Sequence, residues 1–166
     1  MSAKYLFGLT AVKFGTPTGL ATMPVTLVTF AETVKGSFTF EETEAVIEKF
    51  FTEESASAVK AITTQDAQLE GTWRTYDFDP AQLEKVKGGD GHTAATKYVA
   101  PTATVNTELA LQLETTAGIT FHVYKANITA RLTGKLSKDG LSEVEVKFQA
   151  LAPAAGLAPY DYTVPA

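Results

Sequence analysis

The sequence predicts a mainly β protein: an antiparallel β-sandwich or partial barrel with one short flanking α-helix near residues 80–87. Three observations carry that expectation. Apolar residues recur at period two through most of the C-terminal half, and Gly- and Pro-rich segments punctuate the alternating runs. A single stretch, DFDPAQLEKVKGGDG at 77–91, carries helix start and stop signals in their proper order.

The N-terminal half shows the strand pattern less cleanly. YLFGLTAVKF and VTLVTFAETV read as strands, separated by GTPTGLATMP, whose composition predicts an exposed, mobile loop near 15–24. GSFTFEE continues as strand, with Phe38 and Phe40 on one face. EETEAVIEKFFTEES is a conflict: Glu, Ala and Lys favour helix, and Val46/Ile47 and Phe50/Phe51 recur four residues apart. Local composition therefore predicts helix there. AVKAITT and DAQLEGTWRTYDF then read as extended, with Leu69, Trp73 and Thr75 alternating against Glu70, Thr72 and Arg74.

In the helical stretch, Asp79 stands as the N-cap, an acceptor for orphan amide hydrogens worth about 1 kcal/mol over Ala. Pro80 takes the first helical position, and Gln82 completes a capping box. Leu83 and Val86 form a narrow apolar stripe, and Gly88 and Gly89 stop the helix. So short a helix is stable only when packed, so it is expected to plug an end or flank of the sheet structure.

The C-terminal half reads as four strands. TELALQLETT places Leu109, Leu111 and Leu113 on one face and Glu108, Gln112 and Glu114 on the other. ITFHVYKANI and ITARLTGKL carry the apolar files Ile119, Phe121, Val123 and Ile128, Ala130, Leu132, Leu136. SEVEVKFQAL sets Val144, Val146 and Phe148 against Glu143, Glu145 and Lys147. Gly118 and Gly140 sit where hairpins need a positive φ. The remainder, 151–166, is expected to be an extended tail attached to a single domain.

Composition narrows the function classes. The 166 residues suit one domain with a real core, and 45% hydrophobic with 20% charged content is that of a water-soluble globular protein. No apolar run approaches the roughly 20 residues of a membrane span, and the N-terminus lacks a signal-peptide layout. Zero cysteines exclude disulfides, thiolate metal sites and cysteine nucleophiles and agree with synthesis in a reducing cytoplasm. A formal net charge of −5 argues against a nucleic-acid grip.

Catalytic motifs are missing. The two histidines, His92 in a Gly-rich loop and His122 on a polar strand file, lack partners at a motif spacing and are expected to face solvent. No P-loop, G-x-S-x-G or H-x-x-x-H occurs, and GGDG at 88–91 lacks the other residues of a phosphate or calcium loop. Glu41, Glu42, Glu44, Glu53 and Glu54 read as a solvated face, and Trp73 as core. The expectation is a protein without catalytic residues, cofactor or metal.

The order of these features resembles the major tail tube protein of long-tailed bacteriophages. A Thr/Glu/Phe-rich hairpin, VKGSFTFEETEAVIEKFFTEES, precedes strands that lead into TWRTYDFDPAQLEKVKGG, where Asp77, Phe78, Asp79, Leu83, Gly88 and Gly89 match the family's corner, helix and stop. The closing module matches at Lys125, Ala126, Ile128, Gly134, Gly140, Glu143, Val144, Ala150 and Pro153. The likeness spans residues 25 to 153, and its motifs mark a fold more than a chemistry. Type VI secretion and pyocin tubes share the architecture.

The resemblance implies hexameric rings that stack into a hollow tube for genome passage, in a virion tail made in the bacterial host cytoplasm or left as a prophage remnant. Partners would be other copies of the chain and tail proteins such as the tape measure, terminator or baseplate, with DNA passing unbound and no membrane involved. It also turns 41–51 into strand, within a hairpin that reaches a neighbouring subunit through Phe38, Phe40, Val46, Phe50 and Phe51. Phe50 and Phe51 would then face opposite ways, one toward its own core. Glu108, Gln112 and Glu114, or Glu143 and Glu145, are the candidate lumen lining, on the expectation that an acidic wall repels DNA, which carries about one charge per 1.7 Å. The loop 15–24 and the tail would become ordered on assembly. A tail terminator or baseplate component of the same fold is the near alternative. A monomeric ligand- or carbohydrate-binding module, using Trp73 or Tyr124, Tyr160 and Tyr162, is the distant one.

Overall fold

The computed structural model describes residues 6, 8–89, 96–135, 137–138 and 140–165. Their alternating runs become strands and the cap signals become one helix. In chain order these are β1 (Leu9–Gly15), β2 (Val28–Thr29), β3 (Thr39–Glu42), β4 (Val46–Phe50), β5 (Lys60–Gln65), β6 (Leu69–Thr75), α1 (Pro80–Lys87), β7 (Thr107–Thr115), β8 (Thr120–Thr133), β9 (Glu143–Ala150) and β10 (Tyr160–Thr163). The fold is mainly β and antiparallel, a sandwich-like partial barrel flanked by one short helix, as the patterning predicts.

Eight strands share one sheet in the order β2-β1-β7-β8-β9-β6-β3, with β10 hydrogen-bonded to β8 off that path. β4 and β5 form a separate two-stranded ribbon. The sheet rolls because β8 bends. ITFHVYKANI and ITARLTGKL are not two strands but one of 14 residues. Leu111 opposes Val123 while Leu109 opposes Ala126, so β8 takes three steps where β7 takes two. That bulge flips the parity of the inward file, from Phe121 and Val123 to Ala126, Ile128 and Ala130. It also changes partners: Thr120–Val123 pair with β10, and Ala126–Thr133 pair with β9.

One end of the rolled sheet is closed. After β2 the chain crosses from β1 to β6: the Phe30 amide donates to the Val12 carbonyl at 2.8 Å, and the Val34 amide donates to the Arg74 carbonyl at 2.8 Å. α1 covers the same end, with Leu83 and Val86 buried in the core and Lys85 Nζ lying 5.1 Å from the Phe14 ring centre. The core between is a run of tilted and edge-to-face rings, Phe14–Phe30–Trp73–Phe148, with Phe38 stacked on Trp73. Gly71 lets that cluster close, since a β-carbon there would collide with the Phe148 ring and lie 2.7 Å from the Thr39 carbonyl oxygen.

Several expectations change at this level. Asp79 caps α1 by accepting from the Ala81 amide at 3.0 Å, and Pro80 opens the helix. The reciprocal half of the capping box is not made. Asp77 Oδ1 takes the Asp79 amide at 2.8 Å instead, leaving Gln82 Oε1 buried without a protein partner. Gly88 ends the helix at φ 71°, and Gly89 follows at φ 94°. Gly118 supplies the positive φ of the β7–β8 turn, whereas between β8 and β9 Gly134, not Gly140, adopts it.

EETEAVIEKFF is not helical: Glu41 and Glu42 end β3 and Val46–Phe50 form β4, because ladder pairing with β6 and β5 outweighs local propensity. The tail is no free extension, because Tyr160–Thr163 complete an edge of β8. VTLVTFAETV contributes only the two residues of β2 before the crossing segment leaves the ladder. Leu132, expected inward, is half exposed where β8 runs past the end of β7. His92 and Leu136 lie outside the described residues.

Candidate functional site: the outer face, the arm and the open end

Because β7 and β9 flank β8, the two alternative lining sets fall on one surface, the outer face of the rolled sheet. Each carboxylate there meets a cation or an amide. Glu114 lies 2.5 Å from Lys13 Nζ on β1 and accepts from Gln112 Nε2 at 2.7 Å. Glu108 pairs with Lys125 at 3.0 Å. Glu145, only 6% exposed, accepts from Arg131 at about 3 Å and has Arg74 and Lys147 within 4.0 Å. Glu143 binds the other side of Arg74 at 3.3 Å. The expectation of an acidic wall is therefore corrected. These carboxylates are compensated pair by pair, since period-two alternation brings Lys and Arg of neighbouring strands opposite them.

The pairing shifts the acids as it should. The hydrogen bond from Arg131, opposed by desolvation and helped by the charges of Arg131, Lys147 and Arg74, holds Glu145 below the usual carboxylate range. The hydrogen bond from Lys13 does the same for Glu114.

β4 and β5 form an arm. Every residue of both strands is exposed, including Val46, Ile47, Phe50 and Ile62, and Phe51 just beyond is 60% exposed. Phe50 and Phe51 therefore leave their own core altogether, against the expectation that one would enter it. Phe38 does not belong to the arm either. It precedes β3 and stacks in the core at 6.2 Å from Trp73, while Phe40, on β3 of the main sheet, is 41% exposed. The root of the arm is fixed: the Thr43 amide donates to the Gln68 carbonyl at 2.8 Å, and the Gln68 amide donates back to Thr43 Oγ1 at 3.0 Å.

Between β1 and β3 the rolled sheet leaves an opening, bordered by the crossing residues Thr33–Gly36. A mostly apolar pocket of about 470 Å³ opens there, lined by Leu9, Phe38, Phe40, Leu113 and Phe121, with Lys35 at its edge. The arm is rooted at this same end, since β3 leads into it and β6 leads away.

The remaining polar candidates are explained by packing. His122 is not a free solvent histidine: tertiary structure brings Asp161 of β10 to 2.7 Å from its Nδ1, a pairing no linear spacing announces. Trp73 is 1% exposed and Tyr124 is 7% exposed, so neither presents a ring to a sugar. Tyr160 donates to Glu42 at 2.9 Å, and Tyr162 rests on Phe121 with ring centres 5.4 Å apart. Among the described residues, no group of three or more His, Asp and Glu side chains is arranged to hold a metal ion, and no helix is long and apolar enough to cross a membrane.

The described surface thus presents three features: an exposed apolar arm, an apolar opening, and a face of matched charges. No family model matches the sequence, and no curated protein matches it.

Proposed function

We propose that the chain is a structural subunit that assembles with its own copies into rings stacking as a hollow tube of the phage tail-tube type. The observation that carries this reading is the arm. A two-stranded ribbon with exposed Val46, Ile47, Phe50 and Phe51 is marginal in water by itself and gains stability by burying that surface elsewhere. A partner of the same sequence is the economical choice, because one arm per copy closes a ring by head-to-tail contacts. The resemblance in order and spacing of the hairpin, corner, helix and closing strands points the same way.

The outer face suits a passage wall. Lys13, Lys125, Arg74 and Arg131 are already engaged by carboxylates, so they offer DNA phosphates few uncompensated cations. On this reading neutrality by pairing, and not bulk acidity, keeps DNA from adhering.

Sedimentation velocity across a concentration series, with negative-stain images of the same samples, tests the proposal. Open-ended tubes, or rings with a central hole, are expected. Single rings that never stack would favour the terminator or baseplate role, and a compact monomer throughout would overturn self-assembly.

A further inference from the structure

Two apolar features of the surface have no counterpart within the described chain: the opening between β1 and β3, and the arm. The pocket at the open end is apolar, and its volume lies within the few hundred Å³ of pre-formed binding sites. Phe40 at its mouth remains 41% exposed, and Lys35 stands at its edge. The arm offers the matching chemistry: Phe50 and Phe51 near its tip are followed, after Thr52, by Glu53 and Glu54. None of Lys35, Glu53 and Glu54 takes part in an ion pair among the described residues.

Its own arm cannot fill the pocket. The connections Thr43–Ala45 and Asp66–Gln68 are short and joined by one backbone hydrogen bond and one from the Gln68 amide to the Thr43 hydroxyl. Folding back would break those bonds and reverse a ribbon within a few residues of its root. An arm arriving from another molecule meets no such constraint.

Resting on the assembly reading above, we propose that the open end receives the arm of a second copy, with Phe50 and Phe51 entering the pocket and Glu53 and Glu54 facing Lys35. The contact is heterologous: one copy gives its arm and, with its own pocket, receives another. Such contacts propagate until a ring closes. It also covers apolar surface on both partners beside β3, an edge strand that would otherwise invite indiscriminate strand pairing.

The cysteine-free sequence permits a direct test. Val34→Cys is placed on one chain and Thr52→Cys on another, and the two are mixed under assembly conditions and treated with a short bis-maleimide. A covalent heterodimer on a denaturing gel is the expected result. Assembled particles without heterodimer overturn the pocket contact while leaving assembly intact. A mixture both monomeric and uncrosslinked overturns the contact and the assembly reading together. As a second readout, Lys35→Glu is expected to weaken association about tenfold or more by setting like charges together, with recovery on adding Glu53→Lys and Glu54→Lys. Loss without recovery overturns the charge pairing.

Discussion

Asp161 holds two residues of β8 at once: its Oδ1 lies 2.7 Å from Nδ1 of His122, and its Oδ2 accepts from the Tyr124 hydroxyl at 2.5 Å. A carboxylate can only accept here, so the Nδ1 of His122 carries the proton. Four residues of backbone pairing make a short strand, and this fork of side-chain bonds pins β10 to the bulged part of β8. Substituting Asp161→Asn is expected to loosen β10 before the body. Hydrogen exchange would show faster exchange at the amides joining β10 and β8, with those of β6 and β9 unchanged.

The same pairing sets an alkaline limit. Burial first, then the hydrogen bond to Asp161 and its charge, push the Tyr124 phenol from 10.0 up to about 12. A group whose pKa rises on folding stabilises fully below its unfolded value and loses that contribution as pH climbs through the folded one. Stability should therefore fall between pH 10 and about 12. Tyr124→Phe should flatten that limb in denaturant melts, leaving the smaller slope due to Tyr98 and Tyr160, both also raised.

Glu145 governs the opposite limb. Its carboxyl is depressed below 4.5 chiefly by the hydrogen bond from Arg131, so it stabilises the fold above that value and ceases to as pH falls through its folded pKa. Glu145→Gln should lower stability at neutral pH and shrink the acid-induced loss below about pH 4.5. Equal slopes in acid melts of the two proteins would contradict this.

Arm and body are expected to separate energetically. Both phenylalanines of the arm tip contact solvent in the isolated chain, so Phe50→Ser with Phe51→Ser should change unfolding free energy by less than about 0.5 kcal/mol. Ring or tube formation should be abolished by the same pair. Thermal melts beside sedimentation profiles would show it.

Gly71 should behave in the reverse way. Gly71→Ala pushes a methyl group against the Phe148 ring and the Thr39 carbonyl, so destabilisation of about 1–3 kcal/mol is expected without direct damage to the arm. Urea titration at fixed protein concentration measures it.

Where one file of residues decides an element, the sequence was legible. Leu69, Trp73 and Thr75 point inward as their alternation requires, as do Leu111 and Leu113, and Val144, Val146 and Phe148. Asp79, Pro80 and the Gly88–Gly89 stop bound the helix within a residue of where their local chemistry places it. Carboxylate spacing also marked the outer face, because alternation assigns every second residue outward.

Other features are decided only by distant partners. Glu-, Ala- and Lys-rich local preference in EETEAVIEKFF favours helix, and pairing with residues 60–70 turns it into strand. Cancellation of charge on Glu145 needs, besides Lys147 of its own strand, Arg74 and Arg131 from β6 and β8, which only sheet order brings within reach. The joining of His122 to Asp161 depends on β10 filling the edge that β9 leaves vacant, and the open end depends on how far the sheet rolls after its bulge. Periodicity and capping are short-range properties, carried by a few neighbouring residues, so the sequence alone determined the β class, the inward files and the helix. Register, ion pairing and the projection of the arm are balances among segments far apart in the chain, and only the tertiary structure decided them.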